Sequence, residues 1–584
     1  MSSRAALAAI LLSLSSFVAS RDAGILYEVW HSRASNAMSR VRAAGGAQLT
    51  TERVIASAGA LSLDDVYAVH NISGDIYNAE PQLGFYCLFR STSPTAPLPN
   101  CSNTTETLTA HAAMLLSAGF DYIAIDVTNW PQVDVEGPTD IAVLTPIRTL
   151  FEEWLALRAV GVPTPAIAVW PCSPAGGTTW RYLLAQFYNN PVYAPLVYTQ
   201  SGKQVVFLPY AGANCYDAGE RALIEANGGR GNVVTVPMWA LFGEAAYEQG
   251  AWGFFSPCTD GAAYTSSMLD VGACAQRATL RNGSREVVEV SASGGYMLSQ
   301  CALPFAAPGH LRGLTLARLF ERVLAQGAPH LFMSSFNEYI GGRQAPASGA
   351  KIAFNMGLPY DSQRAAVWVD TYAAEFSRDI EPSVEGGDAV WRVAASCVRL
   401  YKAARTCADV AQPEAEPCCS RADKLVFSSV WSLARVDGSD HLLTALAGER
   451  AALVAGGAWA ERCSPIANPT AFCVDGAEPD GRDGPFMIYN SSTAGDAVGV
   501  STRALYRCLA PSAAHFFSTD AACEGAGARE STLGWIAATP GREMLRALRR
   551  CRASAAPGDA RRFHALDLPC DVPDGDGAPL GYVR

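Results

Sequence analysis

Carboxylate side chains occur at the ends of two apolar runs in this chain and inside a third. The run "HLFMSSFNE" ends in Asn337 and Glu338, "YIAID" ends in Asp126, and "GILYEVWH" contains Glu28. Two carboxyl groups that face each other across a cleft can hydrolyse a glycosidic bond, because one protonates the leaving oxygen and the other acts as nucleophile or as base on water. We therefore predict that Asp126 and Glu338 form a catalytic pair.

Residues that would bind such a substrate lie at the same strand ends. Aromatic rings stack on the apolar faces of sugar rings, while amides and charged groups bind hydroxyls. The predicted substrate-binding residues are Glu28, Trp30, His31, Tyr86, Asn129, Trp130, Trp170, Tyr210, Trp239, Asn337 and Arg343. The alternatives are structural: Asp126 as a cap of the next turn, Glu28 as half of a salt bridge inside the fold, and the tryptophans as core residues.

Eight apolar runs of strand length precede residue 340. Most are β-branched and aromatic and apolar throughout, as parallel strands buried on both faces are. The predicted strands span 24–31, 83–89, 122–127, 166–170, 204–210, 232–239, 286–293 and 330–336. Between them, segments of helical period at 106–119, 145–161 and 311–327 each end in glycine.

Helix, glycine and strand in repeated succession, with eight strands, predict an α/β fold, a (β/α)8 TIM barrel over residues 21–402. The active site of such a barrel lies at the C-terminal ends of its strands, where the candidate residues fall. A doubly wound open sheet is the alternative. No GxGxxG follows an early strand, so a dinucleotide site has no support.

The amino-acid composition changes after residue 402. We interpret residues 403–423, rich in Cys and Pro, as a linker held by disulfides, and residues 424–584 as a smaller all-β domain. Segments 431–446, 504–520 and, more loosely, 544–567 share an apolar-X-Arg, a loop and a His-containing strand. Three hairpin-like copies predict a repeat module, of which the β-trefoil is one form. Chance recurrence is the alternative.

Export explains the N-terminus and the cysteines. Residues 1–20 carry one Arg, an apolar stretch and then small residues, which predicts a signal peptide and a secreted, extracellular or endomembrane-lumenal protein with no membrane span after signal removal. The chain has 17 cysteines, which in an exported protein are expected to form disulfides. Asn-X-Ser/Thr sites at Asn71, Asn100, Asn103, Asn282 and Asn490 predict a glycoprotein.

Composition and motifs argue against several other classes of function. Charged residues make up 17 % of the 584, and the net charge is −11, so the chain lacks the basic footprint of a nucleic-acid-binding protein. No GxSxG, HExxH or P-loop motif occurs, which argues against a serine esterase, a catalytic zinc site and a nucleotide phosphate site. We predict no cofactor and no metal, and a carbohydrate as the partner.

The segments "GFDYIAIDVTNW" and "SSFNEYIGG", together with "EPQLGFY", resemble motifs of the (β/α)8 glycoside hydrolases and hydrolase-like proteins of families 71 and 99. The resemblance covers roughly residues 24–402 and implies a barrel and a carbohydrate substrate. In the endo-α-mannosidase members the strand-eight motif runs Asn-Glu-Trp-His-Glu-Gly, and both glutamates take part in catalysis. The first matches Glu338, but Gly341 stands at the position of the second.

Two hypotheses therefore stay open. The first is a secreted glycoside hydrolase-like protein that acts on a glycan or polysaccharide with Asp126 and Glu338. The second is a non-catalytic carbohydrate-binding protein, or a disulfide-linked cell-surface or matrix protein, on a degenerate barrel. The segment 374–383 resembles a motif of uncharacterised relatives, in which we expect Arg378 to pair with Asp379 or Glu375. The C-terminal repeat resembles a small module that secreted proteins carry in the manner of a lectin.

Overall fold

The computed structural model describes two sheets and the helices packed against them. The described residues are 21–29, 31, 50, 53, 77, 79–86, 88, 103–127, 144–171, 183–208, 233–237, 276–281, 284–292, 310–339, 377–419, 427–437, 439–461, 486–493, 500–539, 546–552, 562–566 and 579–583. Within them, no helix is long and apolar enough to cross a membrane.

The first sheet has nine strands within the described ranges. They are β1 (Asp22–Tyr27), β2 (Tyr122–Val127), β3 (Ala166–Pro171), β4 (Thr199–Gln200), β5 (Lys203–Leu208), β6 (Val233–Pro237), β7 (Gln276–Arg281), β8 (Ser284–Ala292) and β9 (His330–Met333). Seven run parallel in the order β6-β5-β3-β2-β1-β9-β8, while β4 and β7 pair antiparallel to β5 and β8. The protein is therefore α/β with a largely parallel sheet.

Seven of the eight predicted strands are confirmed, and the first and last of them pair with each other, as a barrel requires. Ile25 of β1 pairs with Met333 of β9, next to its pairing with Ile123 of β2. Within the described residues the sheet is not closed, because β6 lies at one edge, the β7–β8 hairpin lies at the other, and the two edges do not pair. The closed (β/α)8 barrel remains a prediction.

The predicted strand at 83–89 is wrong in its described part. Residues 81–84 form a turn closed by a hydrogen bond of 2.8 Å from the Gly84 N–H to the Pro81 carbonyl. Gly84 has φ 77°, in the left-handed region that glycine occupies without strain. The apolar run "LGFY" therefore leaves the extended conformation at its second residue, and β1 pairs directly with β2.

Among the described residues, four α-helices belong to this part of the chain. They are α1 (Thr104–Ala118), α2 (Leu144–Ala159), α3 (Leu314–Gln326) and α4 (Ala389–Lys402). Gly119 and Gly327 end α1 and α3 in the left-handed conformation, as the helix–glycine pattern predicts. Buried residues of these helices join Ile25, Tyr27 and Ile125 in one apolar core, so one face of the sheet is covered by helices.

Aromatic rings fill part of the opposite face of the sheet. Tyr122 stacks on Tyr198 at 3.8 Å between ring centroids and on Phe207 at 5.7 Å. A Cβ at Gly24 would lie 2.0 Å from the Tyr122 ring, so only glycine leaves room for this layer. Tyr122 is the first residue of β2, so its ring lies at the amino end of that strand, and Asp126 lies near the other end.

The predicted linker is held by disulfides, as expected. Cys418 bonds to Cys397 of α4, and its neighbour Cys419 bonds to Cys407. The adjacent pair therefore bridges to two different partners and fastens residues 407–419 to the last helix of the α/β part.

The described C-terminal residues form an antiparallel sheet of ten strands. These are β10 (Phe427–Arg435), β11 (His441–Thr444), β12 (Trp459–Glu461), β13 (Phe486–Tyr489), β14 (Thr502–Leu509), β15 (His515–Ser518), β16 (Ala528–Ala537), β17 (Arg546–Arg552), β18 (Arg562–Leu566) and β19 (Gly581–Val583). Helix α5 (Ala447–Ala455) follows β11, so the expectation of an all-β region is not confirmed. The three predicted copies correspond to the pairs β10–β11, β14–β15 and β17–β18.

One set of contacts ties the second hairpin to the first. Arg507 of β14 binds both carboxylate oxygens of Glu449, at 2.8 and 3.0 Å, and donates to the Leu443 carbonyl at 3.3 Å. Glu449 also accepts a hydrogen bond of 2.5 Å from the Thr444 hydroxyl.

The same contacts tie the third hairpin to the second. Arg550 of β17 binds both oxygens of Glu524 at 2.7 Å and donates to the Phe517 carbonyl at 2.9 Å. Glu524 accepts a bond of 2.6 Å from the Ser518 hydroxyl. This recurrence of a bidentate Arg–Glu pair supports a true structural repeat rather than chance.

Candidate active site

Three carboxylic side chains lie at the carboxyl ends of adjacent parallel strands. Glu28 directly follows β1, Asp126 lies near the end of β2, and Glu338 comes shortly after β9. Because Tyr27 pairs with Ile125, Glu28 and Asp126 are the next residues along these two neighbouring strands. Since β1 lies between β2 and β9, Glu28 stands between the two predicted catalytic residues.

Strand alternation sets the direction of these side chains. Tyr27 and Ile125 point into the core beneath the helices, so Glu28 and Asp126 point to the other face of the sheet. Asp126 pairs in register with Trp170 of β3, so this ring lies on the same face. Trp170 is 2 % exposed. The sheet thus presents a row of two acids and one tryptophan.

Glu28 is a buried carboxyl group without a hydrogen-bond partner among the described residues. Its exposed fraction is 0 %, and neither of its carboxyl oxygens has a partner, so the alternative of a salt bridge is not found. Burial, followed by the charges of Asp126 and Glu338, raises the pKa of Glu28 well above its usual range. Burial therefore favours the protonated, neutral form of this side chain.

Glu338 is an ion-paired carboxylate. Arg378 donates from Nη2 to its Oε2, and both side chains are less than a tenth exposed. A guanidinium that donates a hydrogen bond to a carboxylate favours the charged form of that carboxylate. The expected pairing of Arg378 with Asp379 or Glu375 is therefore wrong for Asp379; Glu375 lies outside the described residues. The reason is that Asp379 has other donors.

Asp379 secures the backbone at Glu338. Its Oδ1 accepts from the Glu338 N–H and, at 2.6 Å, from the Ser335 hydroxyl, while Oδ2 accepts from Ser377 at 2.9 Å. Burial raises the pKa of Asp379 to about 6, although these hydrogen bonds and Arg378 act in the opposite direction. The segment from 377 to 379 thus positions Glu338 through its side chain and through its peptide.

Asn337 performs the corresponding task for Glu28. Its Oδ1 accepts from the Glu28 N–H at 2.8 Å, and its Nδ2 donates to the Glu28 carbonyl at 3.1 Å and to the Tyr86 hydroxyl at 3.3 Å. The Asn337 amide is fully buried, and both its oxygen and its nitrogen are hydrogen-bonded to Glu28 or Tyr86. This geometry indicates a positioning role, and substrate binding by Asn337 stays a prediction.

A buried chain of hydrogen bonds continues from Tyr86 to the helical side. Its hydroxyl donates to Glu381 Oε2 at 2.7 Å, and Oε1 of Glu381 accepts from His111 Nε2 at 3.1 Å. The Nδ1 atom of His111 accepts from the Tyr27 hydroxyl at 2.7 Å. Because each group has a partner, this chain braces β1 against α1 and the segment after residue 377.

His31 is also buried, and it is hydrogen-bonded to the segment that follows β9. Its Nε2 donates to the Asn337 carbonyl at 2.8 Å, and its ring lies 4.8 Å from that of Tyr86. Burial lowers the pKa of His31 to about 3, so the imidazole is neutral. Its Nδ1 has no partner among the described residues.

The structure therefore brings together Glu28, His31, Tyr86, Asp126, Trp170, Asn337 and Glu338. Six predicted site residues, and Gly341, lie outside the described residues: Trp30, Asn129, Trp130, Tyr210, Trp239 and Arg343. Sequence reasoning missed the positioning roles of Arg378, Asp379, Glu381 and His111. The signal for the first three was available, since "SRDIE" concentrates charge in a chain with only 17 % charged residues.

No metal site emerges from the part of the chain that the structure describes. No group of three or more His, Cys, Asp or Glu side chains in these ranges has an arrangement that holds a metal ion. The described cluster offers one fully buried carboxyl group, two further carboxyl groups and an aromatic ring for chemistry.

Comparisons with known proteins give distant structural likeness only. No family model matches the sequence, and no curated protein matches it. Among solved structures, the chain is similar to the GH99 endo-alpha-mannosidase from Bacteroides thetaiotaomicron in complex with BIS-TRIS-Propane, with 14 % identity over 65 % of this chain and 97 % of that one. A second structure of the enzyme from this organism gives 15 % identity over 66 % and 98 %. Both TM-scores are 0.36, too low to carry an argument about fold or function.

Proposed function

We propose that the protein is a secreted glycoside hydrolase-like protein that acts on a glycan or polysaccharide through its strand-end carboxyl groups. The observation that carries the proposal is the grouping of Glu28, Asp126 and Glu338 at the carboxyl ends of β1, β2 and β9. This edge is where parallel α/β sheets and barrels place their active sites. The motif resemblance at Asp126 and Glu338 points to the same substrate class.

The charge states support acid/base chemistry. Arg378 keeps Glu338 anionic, which suits a nucleophile or a base. Glycoside hydrolysis also needs a neutral acid beside it, and the cluster contains carboxyl groups whose mutual repulsion favours one bound proton. Asp126 is the predicted partner of Glu338 in this reaction.

The predicted aromatic contacts complete the proposal. Trp170 pairs with Asp126 on the neighbouring strand, and an indole ring in this position can stack on the apolar face of a sugar ring. We propose that Trp30, Trp130, Tyr210 and Trp239, with Asn129 and Arg343, extend this binding surface. Disulfides at Cys397, Cys407 and Cys508 support an exported protein.

The test is hydrolysis of a panel of α- and β-linked oligosaccharides by the full chain. Glu338→Gln keeps the shape of the side chain but removes its charge, and we expect it to lower kcat by at least about 100-fold. Glu153→Gln on α2, a buried glutamate outside the cluster, is the matched control and is expected to retain wild-type turnover. Glycan binding without products from the wild type would instead favour the non-catalytic hypothesis.

A further inference from the structure

We propose that Glu28, and not Asp126, is the carboxyl group that gives its proton to the leaving oxygen of the glycan. This inference rests on the proposed function and changes the predicted division of roles within it. Three observations support it: the enclosure of Glu28, the fixed position of its peptide, and the charge carried by its neighbours.

Enclosure determines which group carries a proton. Glu28 has an exposed fraction of 0 %, compared with 6 % for Asp126 and 5 % for Glu338. Neither carboxyl oxygen of Glu28 accepts a hydrogen bond from a described residue. An ionised carboxylate without donors in such a place is costly, so the side chain is neutral. A neutral acid whose O–H has no protein acceptor can donate that hydrogen bond to a bound substrate.

The neighbouring acids reinforce this assignment. Glu28 and Asp126 follow the paired residues Tyr27 and Ile125, on strands that lie about 4.8 Å apart. Two carboxyl groups at such spacing do not both ionise readily, so a proton on one favours an anion on the other. Glu338 is excluded as the donor because Arg378 holds it in the charged form.

The position of Glu28 is also fixed in the way an active-site acid requires. Asn337 hydrogen-bonds the Glu28 peptide through both its N–H and its C=O. Asn337 directly precedes Glu338, so one short segment positions both the acid and the anion. Enclosure additionally keeps solvent from removing the proton before a substrate oxygen is in place.

The proposed step is balanced within the site. The glycosidic C–O bond breaks, its electron pair stays on the leaving oxygen, and that oxygen takes the Glu28 proton and departs as an alcohol. The Glu338 carboxylate assists at the anomeric carbon as nucleophile or as base. One water molecule supplies the hydroxyl at the anomeric carbon. If Glu338 is the nucleophile, the Glu28 carboxylate takes the remaining proton of this water and becomes the neutral acid again. If Glu338 is the base, Glu338 takes that proton and releases it to solvent, from which Glu28 is reprotonated.

Leaving-group dependence tests this role. Each variant is assayed on a glycan, whose sugar leaving group needs a proton, and on the matching dinitrophenyl glycoside, whose leaving group does not. We expect Glu28→Gln to lower kcat/KM on the glycan at least about 100-fold and on the aryl glycoside less than about tenfold. Glu338→Gln is expected to lose both activities, and Glu153→Gln to lose neither. Equal losses on both substrates by Glu28→Gln, or a selective glycan loss in Asp126→Asn instead, would overturn the assignment.

A second measurement separates this inference from the proposed function. The infrared difference spectrum between wild type and Glu28→Gln at neutral pH should contain the C=O stretch of a neutral carboxylic acid. If that band is present but no glycoside is hydrolysed, the proton on Glu28 stands and the proposed function fails. If glycosides are hydrolysed but the band is absent, the function stands and the assignment to Glu28 is wrong. The amide I absorption in the same spectra shows whether the Glu28→Gln variant is folded enough to compare.

Discussion

Asn337 holds the peptide of Glu28 from both sides, accepting from its N–H at 2.8 Å and donating to its carbonyl at 3.1 Å. The two residues are 309 positions apart in the chain, so this contact joins the end of the first parallel strand to the end of the last. It places the neutral acid and the ion-paired Glu338 on the same edge of the sheet. Several consequences follow for stability and activity.

Asn337→Ala is expected to lower the free energy of unfolding by about 3 kcal/mol, because the Glu28 N–H and C=O then lie buried without partners. Urea denaturation followed by fluorescence gives this difference. Asn190→Ala, which removes an exposed bond to the Val192 N–H, serves as the control and should change stability by less than about 1 kcal/mol. Equal effects of the two variants would contradict the positioning role of Asn337.

Arg378→Met should cost about 3–5 kcal/mol of folding stability, since it leaves the Glu338 carboxylate buried without its cation. The double variant with Glu338→Gln is expected to recover a large part of this loss because no charge remains to be compensated. Denaturation of the two single variants and the double variant measures the coupling. Additive losses would show that Arg378 and Glu338 do not act as a pair.

Asp379 should make stability fall as pH rises from about 4 to about 6. Its folded-state pKa of about 6 lies above the ordinary value of 3.8, so the folded chain holds the proton longer than the unfolded chain. The stabilisation is complete below about pH 4 and is lost as pH rises through about 6, a change of about 3 kcal/mol at most. Asp379→Asn lacks this titration.

His31 acts in the opposite direction over an overlapping range. Its folded-state pKa of about 3 lies below the ordinary 6.5, so stability is lost as pH falls. The measurement for Asp379 is therefore the difference in unfolding free energy between Asp379→Asn and wild type, in which the His31 contribution cancels. As pH rises from about 4 to about 6, wild type should lose stability relative to Asp379→Asn. A difference independent of pH would contradict the assignment.

The C-terminal Arg–Glu pairs should contribute to cohesion of the repeat. Arg507→Ala removes two bonds to Glu449, one to the Leu443 carbonyl and one to Glu530, and we expect a loss of about 2 kcal/mol. Arg503→Ala, on the same strand but with exposed bonds to two carbonyls, should cost less than about 1 kcal/mol. Thermal unfolding followed by circular dichroism distinguishes the two, and equal losses would mean that the pair is not structural.

The strands were predictable because a strand that is buried on both faces has a short continuous run of apolar residues. Seven such runs were identified correctly. The eighth misled because "LGFYCLF" has the same composition, whereas its conformation depends on a left-handed Gly84. The carboxyl groups at strand ends followed from the strands. The Arg378–Glu338 pair and the Asn337–Glu28 contact did not, because they join segments far apart in sequence, and composition carries no information on such pairing.

The central claim, that a glycan is cleaved at the strand-end carboxyl groups, is tested most directly by a structure of the Glu338→Gln variant with a bound oligosaccharide. We predict that the anomeric carbon of the scissile bond lies beside residue 338 and that the glycosidic oxygen lies within hydrogen-bond distance, about 2.6–3.2 Å, of the Glu28 carboxyl group. An oligosaccharide bound only to the C-terminal antiparallel sheet, with none at Glu28, Asp126 and residue 338, would contradict the account.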